Sequence, residues 1–166
     1  MRPYVLLFLL VFSLCRTTVH ANDTVQVVAD TMSVTGVDVI NVAKKYMGLP
    51  YRYGMMNPKR GFDCSGLVHY VFKQLNITLT RNSRAQYQEG EKVETRKELR
   101  TGDLVFFTGV RSKTTVGHVG IVTEVNPETG EFWFIHAGRK GVCINSSSDG
   151  HYNRRYVGAR RILVSI

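Results

Sequence analysis

Gly61-Phe62-Asp63-Cys64-Ser65-Gly66-Leu67-Val68 joins a turn-rich stretch to a strongly apolar helical run. Upstream, Tyr51 to Gly61 is rich in Gly, Asn and Pro and reads as an ordered loop. Downstream, Leu67, Val68, Val71, Phe72 and Leu75 fall on one face of a helix running from Ser65 to Leu75. Cys64 therefore stands in the first turn, where unpaired backbone N–H groups and the helix dipole favour a thiolate. The apolar face of that helix needs a surface to cover, and the rest of the chain supplies one.

Beyond Leu99 the pattern becomes strand-like. Asp103 to Phe107, Val119 to Val125, Glu131 to Ile135, Val142 to Ile144 and Val157 to Val164 read as strands, with turns marked by Gly102, Asn126-Pro127, Gly130 and Gly141. Before the cysteine, Val39, Ile40, Ala43 and Met47 give a second helix over Val37 to Met47, closed by Gly48-Leu49-Pro50. Arg81 to Gln88 reads as a short turn or helix. Helices followed by a run of antiparallel strands make an α+β order, with the cysteine-bearing helix packed on one face of the sheet.

The start of the chain is not part of that fold. Arg2 supplies a positive charge, Tyr4 to Leu14 an apolar run, and Val19-His20-Ala21 a cleavage signature, so residues 1–21 read as a signal peptide. The run is shorter than the roughly twenty residues that a membrane span needs, so no integral membrane segment is expected after cleavage. Leu14 before Cys15 and Arg16 after it favour simple cleavage over a lipid anchor on Cys15. Residues 22–35 are small and polar and read as a flexible leader. Residues 36–166 remain as one catalytic domain, expected to be exported to the periplasm or beyond and to be monomeric.

The formal charge of the 166-residue chain is +9, and only Arg2 and Arg16 of its Lys and Arg residues fall in the signal. A basic exported protein is drawn to anionic polymers such as bacterial cell walls. Its Lys and Arg residues are scattered, with no basic helix or RNA-binding signature, so nucleic acid is not an expected partner. Cys64 and Cys143 remain after the signal. A disulfide between them would silence Cys64, and Cys143, within the apolar run Gly141-Val142-Cys143-Ile144, reads as a small buried hydrophobe.

A thiol at its free pKa needs a basic partner. Gly117-His118-Val119-Gly120 and Phe134-Ile135-His136-Ala137 each place a histidine in or beside a strand. His118, between two glycines that let backbone and substrate come close, is the candidate base, and His136 the residue that orients it. The backbone N–H of Cys64 and the hydroxyl of Tyr51 are candidate oxyanion donors. Taken singly, a buried cysteine is usually packing and a strand histidine usually structural. His69 and His151 lack a comparable setting. It is the combination that points to a Cys–His hydrolase.

Asp63-Cys64-Ser65-Gly66-Leu67-Val68, Gly102-Asp103-Leu104-Val105-Phe106-Phe107, Gly117-His118-Val119-Gly120-Ile121-Val122 and Phe134-Ile135-His136-Ala137 occur in an order that resembles the NlpC family of papain-like cell-wall peptidases. Leu49-Pro50-Tyr51-Arg52-Tyr53-Gly54 and Arg81-Asn82-Ser83-Arg84-Ala85-Gln86 resemble its flanking motifs, and the likeness runs from about Val37 to Ile162. The resemblance implies a papain-like fold and hydrolysis of peptidoglycan stem peptides, at the D-γ-glutamyl-diaminopimelate bond or the D,D cross-link. It implies Cys64 as nucleophile, His118 as base, His136 as third residue and Tyr51 as active-site tyrosine, with no cofactor and no metal. Asp63, Ser65 and Ser83 match positions that line the groove, and for Asp63 a structural role in tying down the loop carries equal weight. One departure is Gly54-Met55-Met56, where many members have Gly-Gly, followed by a longer loop to Cys64.

Three other readings bear on the same residues. An amidase or other acyl-transfer enzyme shares the scaffold, although permuted relatives place the histidine before the cysteine. A non-catalytic wall-binding domain would not need all three candidate positions intact. A zinc site would use Cys64, His118 and His136, but a Cys–His pair at a helix N-terminus needs no metal. Asn22, Asn76 and Asn145 begin formal glycosylation sequons, for which chance is sufficient explanation outside a eukaryotic secretory pathway.

Overall fold

The computed structural model describes residues 33–110 and 112–163. The signal, Cys15 and most of the leader lie outside the described residues. The leader's last residue is fixed, however: Thr35 caps helix α1 (Gly36–Lys44) through a reciprocal pair in which its hydroxyl accepts from Asp38 N and Asp38 accepts from Thr35 N. Val39, Ile40 and Ala43 are the buried stripe of α1.

The expected loop before Cys64 contains a small antiparallel pair, β1 (Met56–Asn57) and β2 (Gly61–Phe62). Asn57 turns the chain between them, its Oδ1 accepting from Lys59 N and Arg60 N. Helix α2 (Cys64–Lys73) follows directly, and its Leu67, Val68, Val71 and Phe72 are fully buried. Then come α3 (Ser83–Gln86), β3 (Glu91–Val93), a 3₁₀ turn at Arg96–Glu98, β4 (Leu104–Thr108), β5 (Val116–Val125), β6 (Phe132–Gly138), β7 (Gly141–Ser146), α4 (Gly150–Asn153) and β8 (Tyr156–Arg161).

The six strands β3 to β8 form one antiparallel sheet in the order β3-β8-β4-β5-β6-β7. All five strands expected from the sequence are present, and β3 is the addition. Both faces of the sheet are covered. Leu104, Phe106, Val119, Ile121 and Ile135 join α1 and α2 in one core, whereas Val105, Phe107, Val122, Phe132 and Phe134 form a second with Tyr152 and Tyr156. This is the period-two alternation of strands read as two packed surfaces. Asp103, at the head of β4, accepts from Arg100 N and takes a two-pronged ion pair from Arg161, which closes the sheet's β4–β8 end.

Candidate active site

Asp63 builds the start of α2. As N-cap it accepts from Gly66 N at 2.7 Å through Oδ1 and from Gly54 N at 2.8 Å through Oδ2. Arg81 meets the same carboxylate with both guanidinium ends, at 2.8 and 2.9 Å, and donates to the Ser65 hydroxyl and the Met55 carbonyl as well. Each oxygen of Asp63 thus holds a backbone N–H and an arginine N–H, and Ser65 is drawn into the same knot. Arg81, quoted in the sequence only as part of a flanking motif, is the residue that ties three segments together here. Arg52 N bonds to Phe62 O and Phe62 N to Pro50 O, which lays Tyr51 alongside the approach to Cys64. Ser83 begins α3 and is half-buried, and it does not line the cavity described below.

The histidines come from the sheet. His118 Nε2 and His136 Nδ1 lie 2.9 Å apart, and His136 Nε2 lies 2.9 Å from Asn145 Oδ1. An amide oxygen only accepts, so His136 carries its proton on Nε2 and receives one from His118 Nε2–H at Nδ1. His118 Nδ1 is then left without a proton. Strand register explains why Asn145 arrives there. β6 and β7 pair His136 with Cys143 and Phe134 with Asn145, so both β7 side chains share the face of His136. Space for the ring is made by glycines: a Cβ on Gly120 would stand 2.6 Å from the Phe134 ring and one on Gly138 2.6 Å from His136 Cε1. Gly117, by contrast, packs against the Gly109 backbone.

The same register corrects the expectation for Cys143. It is half-buried, not a core hydrophobe, because Val142 takes the core-facing position beside it. Its Sγ lies 3.4 Å from Asn145 Oδ1 and 3.8 Å from His136 Nε2. Cys64 and Cys143 are both free thiols. Tyr152, on α4, brings its hydroxyl 3.3 Å from His136 Nε2 and stacks on His118, and burial pushes its phenol up to about 12, so it stays protonated.

Cys64 is 8% exposed. Burial, then the charge of Asp63, push its thiol above its ordinary value, against backbone N–H groups of Val119, Ser65 and Cys64 itself that favour the thiolate. The thiolate expected from the helix N-terminus is therefore not the resting state. Burial also holds His118 well below its ordinary value, with His136, Arg155 and His151 adding to it. Burial lowers His136 too, against its bond to Asn145. The resting pair is a neutral thiol and a neutral imidazole. Among the described residues no hydrogen bond joins Sγ to either ring, and the thiol meets β5 at Val119 N–H, one residue from His118.

A cavity of about 450 Å³ opens on the histidine side, lined by Tyr51, His118, His136, Cys143, Asn145, Tyr152 and, further out, Arg139, Lys140, His151 and Arg155. Tyr51 faces both parts of the site. Burial, then the charges of Cys64 and Asp63, raise its phenol above the ordinary value. His151 belongs to this cavity, contrary to the sequence reading, whereas His69 only bonds the Leu79 carbonyl, at 2.6 Å. Among the described residues no cluster of His, Cys, Asp and Glu is arranged to hold a metal ion.

The sequence pattern of the NlpC/P60 family matches residues 48–161. The chain belongs to the NlpC/P60 family. It is 39% identical over 129 residues to the murein DD-endopeptidase MepH of Escherichia coli, covering 75% of this chain and 45% of that protein. It is 38% identical over 136 residues to a gamma-DL-glutamyl hydrolase of Bacillus subtilis, covering 81% and 31%. An NlpC/P60 family protein of Bacillus cereus, solved as a crystal structure, superposes with a TM-score of 0.69 at 34% identity, over 80% of this chain and 41% of that one. The chain thus spans less than half the length of these relatives. Its fold is α+β and papain-like, and no helix among the described residues is long and apolar enough to cross a membrane.

Proposed function

We propose that this NlpC/P60 chain is a cysteine peptidase that hydrolyses peptidoglycan stem peptides. The observation that carries the reading is the ordered chain Asn145–His136–His118, which leaves His118 Nδ1 unprotonated in the strand that contacts Cys64. Cys64 Sγ attacks the scissile carbonyl carbon while its proton passes to His118 Nδ1. The oxyanion is received by the Cys64 backbone N–H and the Tyr51 hydroxyl. Collapse breaks the C–N bond, and His118 returns the proton to the leaving amine. Water then attacks the thioester with His118 as base, releasing the acid and restoring the thiol. His136 and Asn145 hold the base in the required tautomer throughout. Asp63, Ser65 and Arg81 fix the helix start.

The substrate class rests on family membership and on relatives named for murein and γ-glutamyl bonds. One relative is named a murein DD-endopeptidase and another, of Bacillus cereus, a gamma-D-glutamyl-L-lysine dipeptidyl-peptidase, and the two bonds proposed here are accordingly the D,D cross-link and the D-γ-glutamyl bond. Export through the N-terminal apolar run, and a basic surface suited to an anionic wall, agree with that substrate. The test is digestion of purified peptidoglycan and of soluble stem peptides by the wild type and by Cys64→Ala, with fragments identified by mass spectrometry. Stem-peptide fragments from the wild type alone support the proposal and name the bond. Cleavage by both proteins, or by neither on either substrate, overturns it.

A further inference from the structure

The outer half of the cavity carries a charge that the proposed chemistry does not use. Arg139, Lys140 and Arg155 line it, with Asp149 as the one carboxylate among its lining residues. Asp149 is already engaged, capping α4 by accepting from His151 N at 2.9 Å. None of the three cations forms an ion pair among the described residues. Arg155 is anchored by the Thr108 carbonyl and donates to His151 Nε2, and its Nε is buried without a hydrogen-bond partner. Because arginine only donates, His151 Nε2 is the unprotonated nitrogen and its Nδ1–H remains available. Arg155 keeps further N–H groups on its two terminal nitrogens.

Position decides which half of a substrate meets this wall. The cavity borders His118 and His136, whereas Cys64, Asp63, Ser65 and Ser83 do not line it. His118 hands its proton to the leaving amine, so the residue carrying that amine lies on the His118 side. A volume of about 450 Å³ is within the range of small-molecule subsites. We propose that this cavity is a subsite for a free carboxylate on the amine-side residue of the substrate, bound by Arg155 and His151 with Arg139 and Lys140 at its mouth. The inference rests on the peptidase reading and extends it to a substrate class: peptides whose amine-side residue keeps a carboxylate, either at the second centre of a diamino acid or at the C-terminus. Seating that anion has a second effect. Arg155 adds to the burial that holds His118 low, and a carboxylate seated against it offsets its charge when the base is needed.

The test compares L-alanyl-γ-D-glutamyl-diaminopimelate with two analogues, amidated at the second-centre or at the C-terminal carboxylate. The wild type is expected to favour the free peptide over one analogue by about tenfold or more in kcat/KM, the effect of one charge-assisted hydrogen-bonded pair, and the analogue that suffers identifies the carboxylate. Arg155→Gln is expected to collapse that ratio towards one. Arg139→Gln/Lys140→Gln, on an exposed turn with no structural bonds to lose, is expected to reduce it and guards against misfolding of the first variant. Equal wild-type rates on all three peptides, or an unchanged ratio in both variants, overturn the subsite. If the wild type cleaves none of the peptides, the peptidase reading has failed, and calorimetry of diaminopimelate on the Cys64→Ala protein decides the subsite separately. Binding lost in Arg155→Gln supports it, and no binding overturns it.

Discussion

Asn145 is the most informative residue to change. It touches neither Cys64 nor His118, yet its amide oxygen fixes the tautomer of His136 and, through it, that of His118. Asn145→Ala leaves the Nε2–H of His136, a residue only 1% exposed, without its 2.9 Å acceptor. An orphaned buried donor costs about 1–3 kcal/mol. The Tyr152 hydroxyl, 3.3 Å from the same nitrogen, recovers part of this, so about 1–2 kcal/mol is the expected loss. At about 1.4 kcal/mol per decade, kcat falls about 5- to 30-fold, with KM little changed.

Asn145→Asp separates positioning from packing. It keeps the shape and the acceptor, so turnover should survive. The added negative charge stabilises the imidazolium of His136 and, beyond it, of His118. The acid limb of kcat/KM therefore moves to higher pH in Asn145→Asp. Stem-peptide cleavage followed by mass spectrometry gives kcat and KM. Alkylation of Cys64 against pH, with the labelled peptide mapped to exclude Cys143, gives the same shift without any substrate. Wild-type kcat in Asn145→Ala, or an Asp profile that superposes on the wild type, would refute the relay.

His118→Ala should abolish measurable turnover, whereas His136→Ala should retain a residue of it, since orientation is easier to replace than proton transfer; single-turnover rates on a stem peptide check the order, and a harmless His118→Ala sinks the mechanism. Asp63→Ala removes a helix cap and strands Arg81 in a partly buried site, so urea unfolding should show a loss of about 2–4 kcal/mol; a loss below 1 kcal/mol would assign Asp63 to substrate and not to structure. Both histidines sit below their ordinary value in the fold, so the unfolded chain takes up protons first as pH falls. Their contribution is complete above about pH 6.5 and declines below it, by up to about 1.4 kcal/mol per pH unit for each histidine, and denaturation midpoints that stay level from pH 7 to pH 5 would contradict their burial.

What the sequence made legible follows from range. α1, α2 and five strands rest on periodicities within ten residues or so, and the fold kept them within a residue or three of expectation. β3 escaped because Glu91-Lys92-Val93 is short, charged and at the sheet edge, so only pairing with β8 makes it a strand. Cys64, His118, His136 and Tyr51 stood out by chemistry and context. Asn145, Cys143, Tyr152 and Arg155 did not, because what matters about them is register. Asn145 was visible only as the head of a sequon until the pairing of β6 with β7 set it beside His136. Arg155 needed α4, a single turn with no apolar stripe, to bring it and His151 to one wall.

The resting thiol shows why local signals and tertiary context can point in opposite directions. A helix N-terminus favours a thiolate by a fraction of a charge acting on an exposed group. Cys64 keeps those N–H donors, but it is nine-tenths covered and lies next to Asp63, whose carboxylate must be there to cap the helix that presents the cysteine. The device that positions Cys64 therefore also restrains its ionisation. Arg81 draws off part of the Asp63 charge through two parallel bonds, leaving the thiol raised but within reach of a base. A neutral base is then the suitable partner. In the proposed mechanism His118, kept uncharged by burial, by His136 and by Arg155, accepts the thiol proton only as attack begins, and an anion seated against Arg155 makes it better able to do so. In the proposed arrangement the substrate completes the electrostatics of the site, and the covered thiol stays protonated and unreactive until the substrate arrives.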